Sequence, residues 1–462
     1  MKLSWKNVTI AVALLVVCAY QTDVSLSADD TAEWKVGLAR VNITPTEPVR
    51  MAGYGSRVEP SQGVASELFA KSLALEDREG NRAVLVTTDV LGLAGDFAEA
   101  TCRRIIERTG LERRQVLLNS SHTHTGPVID GDEETLDFPP EHARATHDYS
   151  VRLQGQLVDV AVEALSKLEP AKIAWGVGVV HFPMNRREFT LDGGVRLGVN
   201  ARGLADRSVP FLRIDSPNGQ VRAVLYGVAC HNTTLGPSDM LISGDFAGYS
   251  QAILERELAG AQAMFVQNCG GDANPYPRGS EEISKDHGEE LAAEVLRALG
   301  TELLPVRGPL RTEFEPTALP LQPAPPQARL DAMEAGGSWP RFVARQMREV
   351  LQSQGKLPET YTTPIAVWQF GADLTLVALP GEVVVDYAIL LEKALGPTRL
   401  WVAAYSNDVF GYLPSARVIE EGGYETRGLY TGGIGFFTPE AQGVVVEKVR
   451  ELATKAGRPM KE

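Results

Sequence analysis

The chain has 462 residues, of which 44% are hydrophobic and 23% are charged, as in an ordinary globular protein with a large core. Its formal net charge of −14 argues against nucleic acid as a partner, because phosphate binding needs clustered lysine and arginine. A neutral, lipid-like substrate stays compatible with this charge.

The N-terminus has the layout of a secretory signal peptide. Two lysines precede an apolar run over residues 8–20, and small residues follow before position 29. The run is too short to span a bilayer comfortably. We predict a signal peptide over residues 1–28 and a mature chain, 29–462, that is secreted or lies in the periplasm or cell envelope. Lipidation at Cys18 is the alternative to simple secretion.

Strand-like and helix-like segments alternate along the mature chain, which favours an α/β architecture. The predicted strands cover residues 34–41, 83–88, 116–118, 173–180, 211–214, 221–229, 263–266, 366–371, 374–379 and 400–404. The predicted helices cover residues 97–109, 151–168, 249–258, 287–299, 333–351, 384–395 and 439–452. The proline-rich segment 316–326 is predicted to be an exposed connection.

Two histidines follow the apolar run that ends at Leu118. His122 and His124 are two positions apart, and residues i and i+2 of a strand point to the same side, so both can reach one pocket. Imidazole is the commonest metal ligand and a good proton carrier near neutral pH. The pair therefore suggests a metal site with a base beside it. The alternative is two hydrogen-bonded surface histidines.

Two later strands also end in potential metal ligands. His231 follows the strand 221–229, and Glu382 follows the strand 374–379. Two histidines and one glutamate form a reasonable zinc set with an open position for water. As alternatives, Glu382 could cap the helix that follows it, and Tyr412 could be a packed aromatic.

Taken together, these strings resemble one family, the neutral (non-lysosomal) ceramidases, from about residue 36 to 430. The matching strings are Ser121-His122-Thr123-His124-Thr125-Gly126-Pro127, Asn185-Arg186, Ser243-Gly244-Asp245-Phe246-Ala247-Gly248-Tyr249 with Gly244 inserted, Pro380-Gly381-Glu382, and Tyr412 with Tyr424 twelve residues later. The resemblance implies a catalytic domain of mixed β-sheets flanked by helices.

The resemblance also implies a role for each matching residue. The implied zinc ligands are His122, His231, Glu382 and Tyr412. His124 is implied as the general base or acid. Arg186 and Tyr424 are implied as donors to the tetrahedral oxyanion, a type of interaction worth a few kcal/mol in an amide hydrolase.

One string departs from the family. The family has Gly-Asp-Val-Ser-Pro-Asn, whose serine contacts the substrate, and the implied substrate-binding residues here are Asp272, Ala273 and Asn274. Asn274 stands where the serine would be, which excludes a serine nucleophile on this string. Cys269 is an alternative nucleophile, although a small buried residue is its more ordinary role.

The cysteines and the C-terminus set two further expectations. Cys102, Cys230 and Cys269 of the mature chain are too few for a disulfide framework, so one bridge or none is expected. Family members carry an immunoglobulin-like domain after the catalytic one. Residues 431–462 are too few for such a sandwich of about a hundred residues, so we expect the catalytic domain alone.

We therefore predict a zinc-dependent hydrolase of N-acyl amide bonds, with ceramide as the first candidate substrate. The expected partner is a lipid-like or other N-acyl amide, with peripheral membrane contact and no nucleic acid. Three alternatives stay open: a non-catalytic lipid- or metal-binding relative, a zinc hydrolase of a different amide or ester, and a metal-free cysteine hydrolase centred on Cys269.

Overall fold

The computed structural model describes residues 33–130 and 138–459. The strands are β1 (Trp34–Asn42), β2 (Gly63–Val64), β3 (Phe69–Asp77), β4 (Arg82–Thr88), β5 (Val116–Ser120), β6 (Glu169–Val179), β7 (Pro183–Asn185), β8 (Arg187–Phe189), β9 (Val195–Leu197), β10 (Ser208–Asp215), β11 (Val221–Val228), β12 (Leu241–Ile242), β13 (Gln262–Gln267), β14 (Ala273–Pro275), β15 (Leu304–Val306), β16 (Leu310–Pro320), β17 (Thr360–Phe370), β18 (Leu374–Ala378), β19 (Glu382–Val383), β20 (Leu400–Ala403) and β21 (Tyr412–Leu413). The helices are α1 (Gly95–Thr109), α2 (Pro140–Ser166), α3 (Asp245–Glu257), α4 (Glu281–Leu299), α5 (Gln327–Glu334), α6 (Ser338–Gln354), α7 (Asp386–Leu395), α8 (Ala416–Glu421) and α9 (Glu440–Lys455).

Two mixed sheets form the centre of the fold. The larger has nine strands in the order β13-β11-β10-β6-β1-β3-β4-β5, with β15 also paired to β6. The smaller has the order β16-β17-β18-β20. The two sheets share one apolar core, in which Trp175 lies 5.6 Å from Trp401 between ring centroids. The prediction of mixed sheets flanked by helices is confirmed.

Helices cover the outer face of each sheet. Helices α1 and α2 pack on one part of the large sheet and α3 and α4 on another, whereas α7 and α9 pack on the small sheet. Strand β4 shows why its sequence is a continuous apolar run: Ala83 and Leu85 face the core between the sheets, while Val84 and Val86 face α1 and α2. Both faces of the strand exclude water, and such strands lose the polar alternation of a half-exposed sheet.

Several strands end at a common edge between the two sheets. Strands β4 and β5, β11 and β13, and β18 and β20 are parallel pairs, so the carboxyl ends within each pair lie together. Backbone bridges join the chain at these ends, from Asn119 in β5 to Ser406 and from Thr123 to Asn232. Residues far apart in sequence therefore meet where the strands stop.

Two expectations on the small sheet and its connection were right only in part: residues 322–326 form the predicted connection, and α6 covers most of the helix predicted over residues 333–351. Residues 316–320 are the end of β16, paired with β17 in a register that places Pro316 opposite Pro364. Strand β16 lies at the edge of its sheet, where proline costs no ladder hydrogen bond on the free side. The helix predicted over 333–351 is in fact α5 and α6, separated at Gly336 and Gly337, because glycine is a poor helix former.

Other parts of the chain complete the description. Cys102, Cys230 and Cys269 are free and buried, so the disulfide alternative is wrong for these three residues. The predicted signal peptide lies outside the described residues. Within 33–130 and 138–459, no helix is long and apolar enough to cross a bilayer. After Tyr430 the chain forms α9, which packs against β16 and β17.

Candidate metal centre

His122 and His124 share one pocket, but a turn places them there rather than a strand. Strand β5 ends at Ser120, and His122 has a left-handed φ of 64°. Such a backbone is costly for a residue with a side chain, and sites that hold it are often functional. Hydrogen bonds to Val90 O from the His122 backbone (3.0 Å) and to Leu91 O from its Nδ1 (2.7 Å) hold the turn. The Nε2 atoms of the two histidines are 3.1 Å apart.

A glycine gives His124 its space. Gly53 has φ of +91°, and a Cβ at this position would lie 2.5 Å from the His124 ring. The Gly53 carbonyl is 3.1 Å from His124 Nδ1. Any larger residue at position 53 would displace the imidazole, so the glycine-rich loop 51–55 is part of the site.

His231 and Glu382 complete a compact group of donors. His231 follows β11, is fully buried, and places Nε2 3.0 Å from Glu382 Oε2. The same Glu382 oxygen lies 3.2 Å from His122 Nε2. Glu382 begins β19, which pairs with β21 so that Glu382 lies opposite Tyr412. The Tyr412 hydroxyl is 3.4 Å from His231 Nε2.

The chemistry of this donor set fits a metal cation. The Nδ1 atoms of His122, His124 and His231 face the backbone carbonyls of Leu91, Gly53 and Gly270, respectively, so each Nδ1 carries the proton. The three Nε2 lone pairs then point toward one another, within 4.8 Å, beside a carboxylate. Metal-binding histidines are usually oriented in this way by a carbonyl. The three imidazoles, beside the Glu382 carboxylate and the Tyr412 hydroxyl, could hold a metal ion.

Electrostatics keep the donors in the forms that bind a cation. Burial, with His122 and His231 nearby, holds the pKa of His124 well below its usual value. Burial and Arg186 lower the pKa of His231 to about 4. Burial alone would raise the pKa of Glu382, but His122 and His231 hold it well below its usual value. The imidazoles of His124 and His231 are therefore neutral and the Glu382 carboxylate is ionised at neutral pH.

Arg186 is held beside the donors by a residue that sequence reasoning missed. Its Nη2 donates to the Tyr412 hydroxyl (2.7 Å), and its Nε donates to Glu425 (2.9 Å). Glu425 also binds Arg187 at 2.6 Å, and all three side chains are at most 5% exposed. The two adjacent arginines were the available signal, because buried guanidinium groups need a carboxylate.

Two clefts meet at the donors and share Gly53, His124, Tyr412 and Tyr424. The first, which we call the aromatic cleft, has a volume of about 490 Å³. Its other lining residues include Leu91, Trp339, Phe342, Val409, Arg427 and Tyr430. The second, the arginine cleft, has a volume of about 430 Å³. Its other lining residues include Arg186, Leu197, Val199, Asn274, Tyr276 and Arg278. Of the three histidines, only His124 lines both clefts.

The residues of the departing string have different positions. Asn274 lines the arginine cleft, where its Oδ1 accepts hydrogen bonds from Arg186 and Thr233, both at 3.2 Å. Asp272 is fully buried and instead accepts from Val385 N (2.8 Å) and Asn185 Nδ2 (3.2 Å). Ala273 is buried in β14, where its carbonyl accepts from the His231 backbone. Of Asp272, Ala273 and Asn274, only Asn274 can therefore contact a ligand in the arginine cleft.

Cys269 lies in the apolar core of the small sheet and is 1% exposed. Burial raises the pKa of its thiol well above the usual value. A reactive cysteine needs thiolate character and access to substrate. This environment contradicts the alternative of a cysteine hydrolase.

The sequence model of neutral/alkaline non-lysosomal ceramidase, N-terminal, matches residues 34–318. The chain belongs to this family. Neutral ceramidase B of Dictyostelium discoideum is 25% identical over 275 residues, which cover 56% of this chain and 38% of that protein. Neutral ceramidase of Pseudomonas aeruginosa is 24% identical over 280 residues, covering 57% and 40%. The chain thus matches less than half the length of these curated relatives.

Solved structures show the same fold. A crystal structure of neutral ceramidase from Pseudomonas aeruginosa aligns with a TM-score of 0.70 and 20% identity, covering 94% of this chain and 76% of that one. A structure described as ceramidase complexed with C2 aligns with a TM-score of 0.71 and 19% identity, covering 93% and 76%. At these identities the alignments establish the architecture alone.

Proposed function

We propose that the protein is a zinc-dependent hydrolase of N-acyl amide bonds, releasing a fatty acid and an amine. The observation that carries the proposal is the group of inward-facing Nε2 lone pairs beside the Glu382 carboxylate. His122, His231, Glu382 and Tyr412 would hold the ion. Zinc, when bound, supplies Lewis-acid chemistry that makes water nucleophilic near neutral pH. Membership of a ceramidase family supports a hydrolase.

His124 is the proton carrier in this proposal. It alone of the three histidines faces both clefts, so it can contact the amide that lies across them. With its proton on Nδ1, its Nε2 accepts the proton of the attacking water and then delivers it to the leaving nitrogen. The low pKa of His124 keeps Nε2 free before the reaction begins.

Arg186 and Tyr424 would stabilise the oxyanion that forms on the amide carbon. The Arg186 guanidinium lies 5.5 Å from the centroid of the Tyr424 ring, and both side chains line the arginine cleft. Glu425 fixes Arg186 in place, so this donor needs no reorganisation during the reaction. Each preorganised donor of this kind contributes about 3 kcal/mol to lowering the barrier.

Ceramide is the first candidate substrate, because the named relatives are ceramidases. Asn274, which stands where the family has a serine, favours a second candidate, a zinc hydrolase acting on a different amide or an ester. Both candidates use the same donors and the same proton carrier. They differ only in the group that Asn274 contacts.

Fatty-acid release from a short-chain ceramide tests the proposal. We expect release by the purified mature protein with added zinc, loss of release after chelation, and recovery when zinc is restored. His122→Ala should abolish release while the circular dichroism spectrum stays unchanged. Unchanged release by His122→Ala would refute zinc catalysis. Zinc-loaded protein that releases nothing from ceramide but cleaves another acyl amide or ester would support the second candidate.

The location of the protein is also a proposal. The lysine-flanked apolar run before residue 29 supports export, to the medium or to the periplasm and cell envelope. A lipid-like N-acyl amide as substrate would bring the protein into peripheral contact with a membrane. Detection of a mature N-terminus near residue 29 in the exported fraction would test this.

A further inference from the structure

The arginine cleft contains a cation with no partner. Arg278 is exposed and lines this cleft. Within residues 33–130 and 138–459, it forms no ion pair or hydrogen bond. By contrast, Arg186 in the same cleft is neutralised by Glu425. An unpaired guanidinium at the rim of a cleft can therefore bind an anion without first breaking an internal ion pair.

The charge of the cleft differs from that of the whole protein. The formal net charge of the chain is −14, yet the cleft is lined by two arginines and by no carboxylate among the described residues. Tyr54 also lines this cleft. Burial raises the pKa of Tyr54 to about 12, and the positive charge of Arg278 acts to lower this pKa. The charge of Arg278 therefore acts inside the cleft. An anion in this cleft would thus be attracted locally although the protein as a whole repels it.

Asn274 adds a fixed donor at the same place. Arginine has no acceptor, so the hydrogen bond at 3.2 Å from Arg186 must end on the Asn274 carbonyl oxygen. The amide nitrogen Nδ2 is then left without a partner among the described residues, and the side chain lines the cleft. The cleft therefore offers two free donor groups, one charged and one neutral, to an acceptor on the ligand.

The aromatic cleft has the opposite character. Trp339, Phe342 and Tyr430 line it, with the Trp339 and Tyr430 rings 4.4 Å apart between centroids. Its one arginine, Arg427, lies 4.0 Å from the Tyr424 ring centroid, and the Glu382 carboxylate lines the same cleft. An apolar chain is the ligand group that this wall favours, because aromatic side chains bury a large area.

We propose that the arginine cleft binds an anionic group, such as a carboxylate, on the amine part of an N-acyl amide whose acyl chain occupies the aromatic cleft. The inference rests on the proposed function, in which the amide lies at His124 between the two clefts. It makes Arg278 and Asn274 specificity-determining residues. It also favours the second candidate of the proposed function, an amide other than ceramide, with N-acyl amino acids preferred over neutral N-acyl amines.

Binding of two matched sulfonamides tests the inference separately from turnover. N-(decylsulfonyl)glycine and N-(decylsulfonyl)ethanolamine have the same chain, and the sulfonyl group replaces the carbonyl that an amidase would cleave. We expect calorimetry on the zinc-loaded protein to show about fivefold tighter binding of the glycine compound, since an exposed ion pair contributes up to about 1 kcal/mol. The preference should weaken as salt is added.

Three variants complete the test. Arg278→Gln should bring the affinity ratio close to one, and Arg278→Lys should keep most of the preference. Arg103→Gln, which removes an exposed arginine on α1, changes the net charge equally and should leave the ratio unchanged. Equal binding of the two sulfonamides by the wild type, or a ratio that Arg278→Gln does not alter, would overturn the inference. Failure of fatty-acid release from every amide would instead overturn the proposed function.

Discussion

The donor group and the cleft walls of this protein are built in opposite ways. His122, His231 and Glu382 are at most 5% exposed, and backbone carbonyls or opposing donors fix the orientation of each side chain. Arg278 and Tyr276, in contrast, are exposed on the arginine cleft. A rigid centre with adaptable walls allows the same chemistry to serve different substrates, because a wall residue can change without disturbing the donors.

Removing a donor should have the largest effect. Glu382→Gln keeps the shape of the side chain but removes the negative charge between His122 and His231. We expect zinc affinity to fall on the order of 10³-fold, as one ligand of four contributes several kcal/mol. Competition with a chromophoric chelator measures the change. Glu290→Gln, a carboxamide change on α4 outside the donor group, is the control, and an equal loss there would contradict our account.

Removing the carboxylate behind the donors should destabilise the fold. Glu425→Gln leaves Arg186 and Arg187 buried without a full counter-charge, and the free energy of unfolding should fall by about 3 kcal/mol. Urea denaturation measures this. Glu421 also binds Arg187, at 3.0 Å, but its side chain is 21% exposed. Glu421→Gln should therefore cost less than about 1 kcal/mol, and equal losses would refute the distinction.

A pH-dependent stability should arise at Asp408, whose backbone carbonyl accepts a hydrogen bond from Gly381, the residue before Glu382. Burial raises its pKa from 3.8 to about 6, while hydrogen bonds from Thr363 and Tyr361 oppose the shift. A raised carboxyl pKa adds stability below pH 4 that is lost as pH rises through about 6. The loss should amount to about 2–3 kcal/mol. In Asp408→Asn this decline between pH 4 and pH 7 should disappear, and an unchanged pH profile of urea denaturation would contradict the assignment.

A change in the aromatic wall should have the smallest effect. Trp339→Ala removes a large apolar surface from the aromatic cleft, so affinity for a decyl-chain ligand should fall about fivefold, or about 1 kcal/mol. The effect should vanish for a ligand with a two-carbon chain. Phe189→Ala, at an aromatic that is 56% exposed and lines neither cleft, should change neither affinity. A similar loss for both chain lengths would show that Trp339 does not contact the chain.

The donor residues were easier to predict from the sequence than the residues that line the clefts, for a physical reason. His122, His231 and Glu382 each stand directly after a strong apolar strand, so periodicity and residue type together indicate where they lie. The backbone turn at His122 was not predictable, because a left-handed histidine has no sequence signal. Glu425 and Arg278 were also missed: one is defined by burial beside Arg186, and the other by having no partner, and both are properties of the folded chain.

The arrangement of the two sheets was likewise only partly predictable from the sequence. Alternating strands and helices predicted an α/β fold, and the strands predicted over residues 211–214 and 221–229 correspond to β10 and β11, which pair antiparallel. Nothing in the local pattern indicated that β16 would run through Pro316, because edge position is a property of the whole sheet.

Anomalous scattering at the zinc edge, on crystals grown with zinc, tests the central claim most directly. We predict a single strong peak coordinated by His122, His231, Glu382 and Tyr412, with His124 adjacent and free to carry a proton. A peak bound by His122, His124 and His231 without Glu382 would contradict the assignment of His124 as the base. The absence of any peak among these side chains would contradict the metal centre itself.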